Sequence, residues 1–171
     1  SSHRNIANSA SSSLSLIARF CIRHAISFVL CRSWCSSVAL IVILGSLIER
    51  EAITDEEKPI IAGVLINRLN AGMALQVDAT IQYAKGKNPS NKKWWEPVML
   101  EEYKTVKSDY NTYLFTGLPP SPISNPGLEA LRAAVNPADT DYLYYLHDKD
   151  RKIRYAKTLS EHNENIEKFG L

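Results

Sequence analysis

Glu49 and Glu51 stand two residues apart at the end of an apolar run, and Asp78 is a further carboxylate set among alternating apolar residues. A carboxyl in apolar surroundings can hold a proton near neutral pH and pass it to a reacting group, which is general acid–base chemistry. Two residues along a helix is about 200° of rotation, so only one glutamate of the pair can face a given cleft. Glu49 shares its side with Gly45, Ser46 and Ala52, small residues that leave room for a ligand, whereas Glu51 shares its side with Leu44, Leu47 and Ile48 and reads as a structural carboxylate. On the residues alone the plainer reading of Glu49 is a solvated helix residue paired with Arg50 or Lys58, and Asp78 reads at least as well as a structural turn residue. Other chemistries lack their residues. Cys31 and Cys35 have no second pair of ligands, His24, His147 and His162 are scattered, and neither a Gly-rich phosphate loop nor a Ser-His-Asp motif occurs. No metal or other cofactor is expected.

The elements that must position these carboxylates follow from pattern and punctuation. Residues 38–48 are almost wholly apolar, short of the roughly 20 residues a bilayer-spanning helix needs, so they predict a buried helix over 38–53 with Ser37 as N-cap. Thr54-x-x-Glu57 is a capping-box pattern that predicts a second helix over 56–70, stopped by Gly72. Leu75, Val77 and Ala79 alternate with polar residues, as an extended cleft-lining segment over 73–84 would. Residues 101–107 predict a short helix, and the Pro-dense stretch 110–127 a shaped loop. Asn125 as N-cap and Pro126 at the first helical position start a helix over 126–135. A β-hairpin follows, with arms 142–147 and 152–157, and Thr158-x-x-Glu161 caps a last helix ending near Gly170. This order, without βαβ alternation, predicts an α+β single domain with several helices, a C-terminal β-hairpin and extended cleft-lining segments. Trp94 and Trp95 either pack on the domain or face a ligand. The aromatic Tyr142, Tyr144 and Tyr145 read as cross-strand packing.

Composition divides the chain. The 171 residues carry a formal charge of only +2, too small to point to nucleic acid or a membrane surface. No Asp or Glu precedes Glu49, and all three cysteines lie in that part together with Arg4, Arg19, Arg23 and Arg32. Residues 1–37 therefore read as a separate segment, disordered or non-native, ahead of a domain over 38–171.

Ordered blocks along that domain carry a resemblance. They are Ser46-Leu47-Ile48-Glu49-Arg50-Glu51-Ala52, Gly63-Val64-Leu65-Ile66-Asn67-Arg68-Leu69, and Gly72-Met73-x-Leu75-Gln76-x-Asp78-x-Thr80. Tyr110-Asn111-Thr112-Tyr113 leading to Gly117-Leu118-Pro119-Pro120, Ile123-Ser124-Asn125-Pro126-Gly127, and Asn136-Pro137 with Tyr142-Leu143-Tyr144-Tyr145 continue them. In order and spacing they resemble the YceG-like family of endolytic transglycosylases, from residue 47 to the end. The resemblance implies cleavage of the β-1,4 bond between N-acetylmuramic acid and N-acetylglucosamine in peptidoglycan, leaving 1,6-anhydromuramyl ends, with Glu49 as the single general acid/base. Its carboxyl would need to be protonated before cleavage, and the preceding apolar run would supply the dry setting. Sugar-binding groups are expected from Asn67, Gln76, Asp78, Tyr110, Asn111, Ser124 and Asn125, since acetamido sugars need amide and hydroxyl partners. For Asn67 and Arg68, capping a helix end and pairing with a neighbour is an equal reading.

Two rivals remain open. One is a two-carboxylate glycoside hydrolase using Glu49 with Asp78. The other is a non-catalytic peptidoglycan-binding module or inactive truncated fragment, because residues 1–37 match neither the membrane anchor nor the small binding subdomain that the family resemblance implies. Expected partners are peptidoglycan glycan strands and the cell-wall synthesis machinery, with no nucleic acid, and a membrane only through the missing anchor. The implied location is the cell envelope, at the extracytoplasmic face of the cytoplasmic membrane.

Overall fold

The computed structural model describes residues 33–170, with side chains from residue 37. The expectations for residues 1–32 lie outside the described residues. The chain divides into the units Ser1–Leu40 and Ile41–Leu171, and the contacts below belong to the second. In chain order the elements are α1 (Ser33–Glu51), α2 (Lys58–Asn70), α3 (Asp78–Lys85), α4 (Glu102–Thr105), α5 (Leu128–Val135), β1 (Tyr144–His147), β2 (Ile153–Ala156) and α6 (Leu159–Phe169). Helices with one two-stranded antiparallel sheet make the fold α+β, as expected. No described helix is long and apolar enough to cross a membrane.

Four aliphatics of α1 (Ile43, Leu44, Leu47 and Ile48) fall at three- and four-residue spacing and are buried. Leu44, Leu47 and Ile48 join Ile61, Ala62 and Leu65 of α2, Leu75 and Val77 of the following segment, Ile123, and the alanines of α5 in one core. Each large aliphatic buried this way contributes roughly 1.5–3 kcal/mol, so α1 is anchored right up to its last turn. That rigidity is what allows the three residues ending α1 to hold fixed directions.

Several local expectations are corrected. Helix α1 starts at Ser33, so Ser37 lies inside it instead of capping it. Helix α2 starts at Lys58 with Pro59 in its first turn, and its N-cap residue Glu57 makes no side-chain cap. Glu57 instead reaches backward, its carboxylate accepting from Ile53 N–H at 2.9 Å and Thr54 N–H at 3.3 Å. Only Met73 to Val77 is non-helical in the predicted extended stretch, because Gln76 takes a left-handed φ of 54° and Asp78 opens α3. Helix α5 begins at Leu128 behind Gly127, not at Pro126 behind Asn125.

The C-terminal elements follow the pattern closely. Tyr144 pairs with Ala156 and His147 with Ile153. The Asp148 carboxylate locks the turn, accepting from the N–H groups of Asp150 and Lys152 at 2.9 Å each and from Arg154 Nη2 at 2.8 Å. Thr158 and Glu161 form the full capping box of α6, which packs on both strands. The hairpin is brought to the helices by the stretch ahead of it, which runs along α2. Ala138 N–H donates to Pro59 O at 2.8 Å, and the Asn67 amide donates to Thr140 O at 2.6 Å and Tyr142 O at 3.1 Å.

Candidate active site

Glu49, Arg50 and Glu51 leave the end of α1 in three directions. Glu49 turns toward α5, where its Oε2 accepts from Gly127 N–H at 3.1 Å and from Lys58 Nζ at 3.4 Å. Arg50 lies over the Trp95 ring, 4.0 Å from its centroid. Glu51 points toward the hairpin, where Tyr145 donates its phenol proton to Glu51 Oε2 at 2.8 Å. The opposed directions of the two glutamates match the rotation that two helical residues impose.

The small residues beside Glu49 are filled by protein. A Cβ on Gly45 would stand 3.3 Å from both Leu131 and Pro126. Ser46 is fully buried, its hydroxyl accepting from Ile123 N–H at 3.0 Å and its carbonyl from the Ser124 hydroxyl at 3.0 Å. Gly45 and Ser46 thus seat the Pro-dense loop instead of leaving space for a sugar, because only side chains this small let that backbone approach α1.

Glu51 is partly buried against the hairpin. Burial pushes the Glu51 carboxyl up from 4.5 to about 7, against the Tyr145 hydrogen bond, with the Asp78 carboxylate adding to the rise and the Ala79 N–H and Arg50 opposing it. Loss of hydration penalises the charged form, and neighbouring negative charge penalises it further. Glu49 meets a cation and the N–H at the start of α5, partners that suit a carboxylate.

Asp78, first residue of α3, is the acceptor of a phenol cluster. Tyr113 donates to its Oδ1, and Tyr103 to its Oδ2 at 3.3 Å, while the Tyr103 and Tyr113 rings stack at 4.3 Å. Burial raises the Tyr113 phenol far above its ordinary value, reinforced by Asp78. Behind this cluster Arg68, almost fully buried, donates to Ala74 O at 3.0 Å and to the Gln76 side chain. Glu51 with Tyr145, Asp78 with Tyr113 and Tyr103, and Arg68 with Gln76 are three hydrogen-bonded groups that act on one another electrostatically.

The other expected sugar-binding residues are placed variously. Asn111 is fully buried, its amide donating to Tyr103 O and Val106 O while accepting from Tyr113 N–H, which holds the loop. Asn67 and Ser124 use their polar atoms on backbone, as given above. Tyr110 shares a hydrogen bond with Ser121, and its ring lies 4.9 Å from Tyr83. Asn125 is exposed at the loop surface. Sequence reasoning missed Tyr145, Tyr113 and Tyr103. The available signal was strand alternation: Tyr145 and His147 share one face of β1, and they reach Glu51 and Glu57 respectively.

Comparison with known proteins gives one consistent answer. The sequence profile of the YceG-like family matches residues 24–168, starting upstream of the blocks that begin near residue 47. The endolytic murein transglycosylase of Bacillus subtilis (strain 168) is 41% identical over 133 residues, 78% of this chain and 35% of that protein. The endolytic murein transglycosylase of Streptococcus pneumoniae serotype 2 (strain D39) is 36% identical over 124 residues, 72% of this chain and 22% of that protein. The crystal structure of a YceG-like protein from Listeria monocytogenes superposes with a TM-score of 0.66 at 39% identity, covering 75% of this chain and 39% of that one. The chain thus spans about a third or less of the length of these curated relatives. With 145 residues matched in register to one profile, and a fold shared at that identity, the chain belongs to the YceG-like family.

Proposed function

We propose that this chain is the catalytic part of an endolytic peptidoglycan lytic transglycosylase, cutting the β-1,4 bond between N-acetylmuramic acid and N-acetylglucosamine and leaving 1,6-anhydromuramyl ends. One carboxyl suffices for this reaction. Its proton goes to the departing glycosidic oxygen as the C1–O bond breaks, the C6 hydroxyl of the muramyl residue closes onto C1, and the carboxylate takes the C6 hydroxyl proton, restoring the acid. The observation that supports the reading is the partly buried Glu51 carboxyl, which accepts from the Tyr145 phenol at 2.8 Å and is pushed up to about 7. On this geometry Glu51 is the better-supported acid, with Tyr145 orienting it and Asp78 favouring its protonated form. Glu49 is the second reading, favoured by its greater access: 32% of its side chain is exposed.

The test is product analysis of digested sacculi by mass spectrometry, with Glu51→Gln and Glu49→Gln beside the wild type. The expected result is anhydromuramyl ends from wild type, none from Glu51→Gln, and retained cutting by Glu49→Gln. Reducing ends would replace the mechanism with hydrolysis; loss confined to Glu49→Gln would move the acid to Glu49. Binding to sacculi without soluble products would leave only a binding module. The extracytoplasmic envelope location and contact with the wall-synthesis machinery belong to the same proposal, as what the family resemblance implies.

A further inference from the structure

Arg50 stands between the two glutamates at the end of α1. Among the described residues its guanidinium donates no hydrogen bond and forms no ion pair; its Cζ lies over the Trp95 ring, 4.0 Å from the centroid. The residue is exposed, so its N–H donors face solvent at the end of α1. What sets Arg50 apart is its place between the two glutamates and its seat on an aromatic ring.

The ring beneath Arg50 is held firmly. Trp95 has a left-handed φ of 60°, a strained conformation for a bulky residue that its surroundings must enforce. The Gln82 amide does so, donating to Trp95 O at 3.4 Å and Glu96 O at 3.1 Å, while Asn88 donates to the Glu96 carboxylate at 2.6 Å. Trp95 also packs toward Tyr83 at 6.4 Å, and Tyr83 meets Tyr110. An aromatic base thus fixes a planar cation whose fork matches a carboxylate bidentately.

We propose that Arg50 on Trp95 is a carboxylate-recognition site that reads the muramyl residue of the glycan strand. This rests on the transglycosylase reading and deepens it. Of the two sugars in the strand only the muramyl unit carries a carboxyl-bearing substituent, so an arginine beside the acid distinguishes the two ring positions and sets which glycosidic bond faces Glu51. The carboxylate comes from one of two sources: the 3-O-lactyl group where the stem peptide is absent, or the stem peptide itself.

The test uses disaccharides with N-acetylglucosamine at the non-reducing end and a muramyl residue at the reducing end, which lack the bond to be cut. NMR titration follows the Arg50 Nε–H and Trp95 indole N–H signals with three probes: the disaccharide bearing its stem peptide, the same disaccharide with a free lactyl carboxylate, and a dimer of N-acetylglucosamine. Arg50→Gln is expected to weaken the carboxylate-bearing probes roughly tenfold to a hundredfold, with the dimer unchanged and Arg50→Lys intermediate. Loss confined to one probe assigns the lactyl or the peptide source. Equal affinity in Arg50→Gln, or an equal loss for the dimer, overturns the proposal; thermal unfolding of the variant separates the latter from a damaged fold. Failure of wild type to bind any probe or to cut sacculi would instead overturn the transglycosylase reading itself.

Discussion

At the scale of single residues, the proton affinity of Glu51 is set by two neighbours that pull in opposite directions. Tyr145 donates to its carboxylate and lowers the pKa that burial has raised, while the Asp78 charge adds to the rise. If the protonated form is the active one, kcat/KM for strand cutting falls about tenfold per pH unit above about 7. Tyr145→Phe removes the hydrogen bond to the charged form, so the alkaline limb moves to higher pH. Asp78→Asn removes a negative neighbour and moves it lower. Opposite displacements in pH–rate profiles check both assignments; a common direction would mean that both variants merely loosen the site. Part of this was legible in the sequence. A pair of glutamates after an apolar run marked where the acid would be, and helical rotation separated them. The small neighbours and the resemblance favoured Glu49; the Tyr145 bond that marks Glu51 was not legible, because it comes from the hairpin, nearly a hundred residues later. Likewise Asn111 and Ser124 look like ligand groups in sequence, yet each bonds to backbone that only the folded loop brings near.

At the scale of elements, α2 and the stretch ahead of the hairpin meet closely at Gly63. A Cβ on Gly63 would stand 2.6 Å from Ala138 O and 2.7 Å from Thr140 Cγ2. Gly63→Ala must therefore push the strand-bearing segment away from α2, at a cost of about 1–3 kcal/mol, and since that segment carries β1, cutting activity should fall with it. Denaturant unfolding beside an activity assay checks this; an unchanged midpoint would show that the segment yields freely. Thr158→Ala removes the side-chain cap of α6 and should cost about 1 kcal/mol, read as a lower urea midpoint, because α6 packs on both strands of the hairpin. Elements written in local code were readable: the α6 capping box, the hairpin around Asp148, and the apolar spacing of α1. Helix α3 was not, since Leu75, Val77 and Ala79 alternate correctly up to Val77 and only the left-handed turn at Gln76 and the capping position of Val77 reveal the change of period. The start of α5 was misplaced for a similar reason: Glu49, distant in sequence, supplies the acceptor for Gly127 N–H that a local cap would have provided.

At the scale of the whole molecule, the Glu51 carboxyl makes stability depend on pH in the sense opposite to most paired acids. Its folded value of about 7 lies above the ordinary 4.5, so between these values the native state binds more protons than the unfolded chain. Stability from this group is present below about pH 4.5 and is lost as pH rises through about 7, by up to about 3 kcal/mol. Glu57 works the other way: burial raises its carboxyl, but the Ile53 N–H, His147 and the Thr54 N–H outweigh it and hold the value down. Asp148 is also held down, chiefly by the Lys152 N–H, and both contributions disappear on acidification. The two trends bound a stability maximum on the mildly acidic side of neutral. Glu51→Gln cannot ionise, so between pH 5 and pH 8 the wild-type urea midpoint should fall relative to that of the variant, while His162, held down by burial, adds the same rise with pH to both proteins. Above pH 7 the variant should be the more stable protein although on the proposed mechanism it should not cut, because it keeps the packing without the charge. An equal change in both proteins would show that Glu51 is ionised in the native state throughout, and would remove the proton on which the proposed chemistry depends.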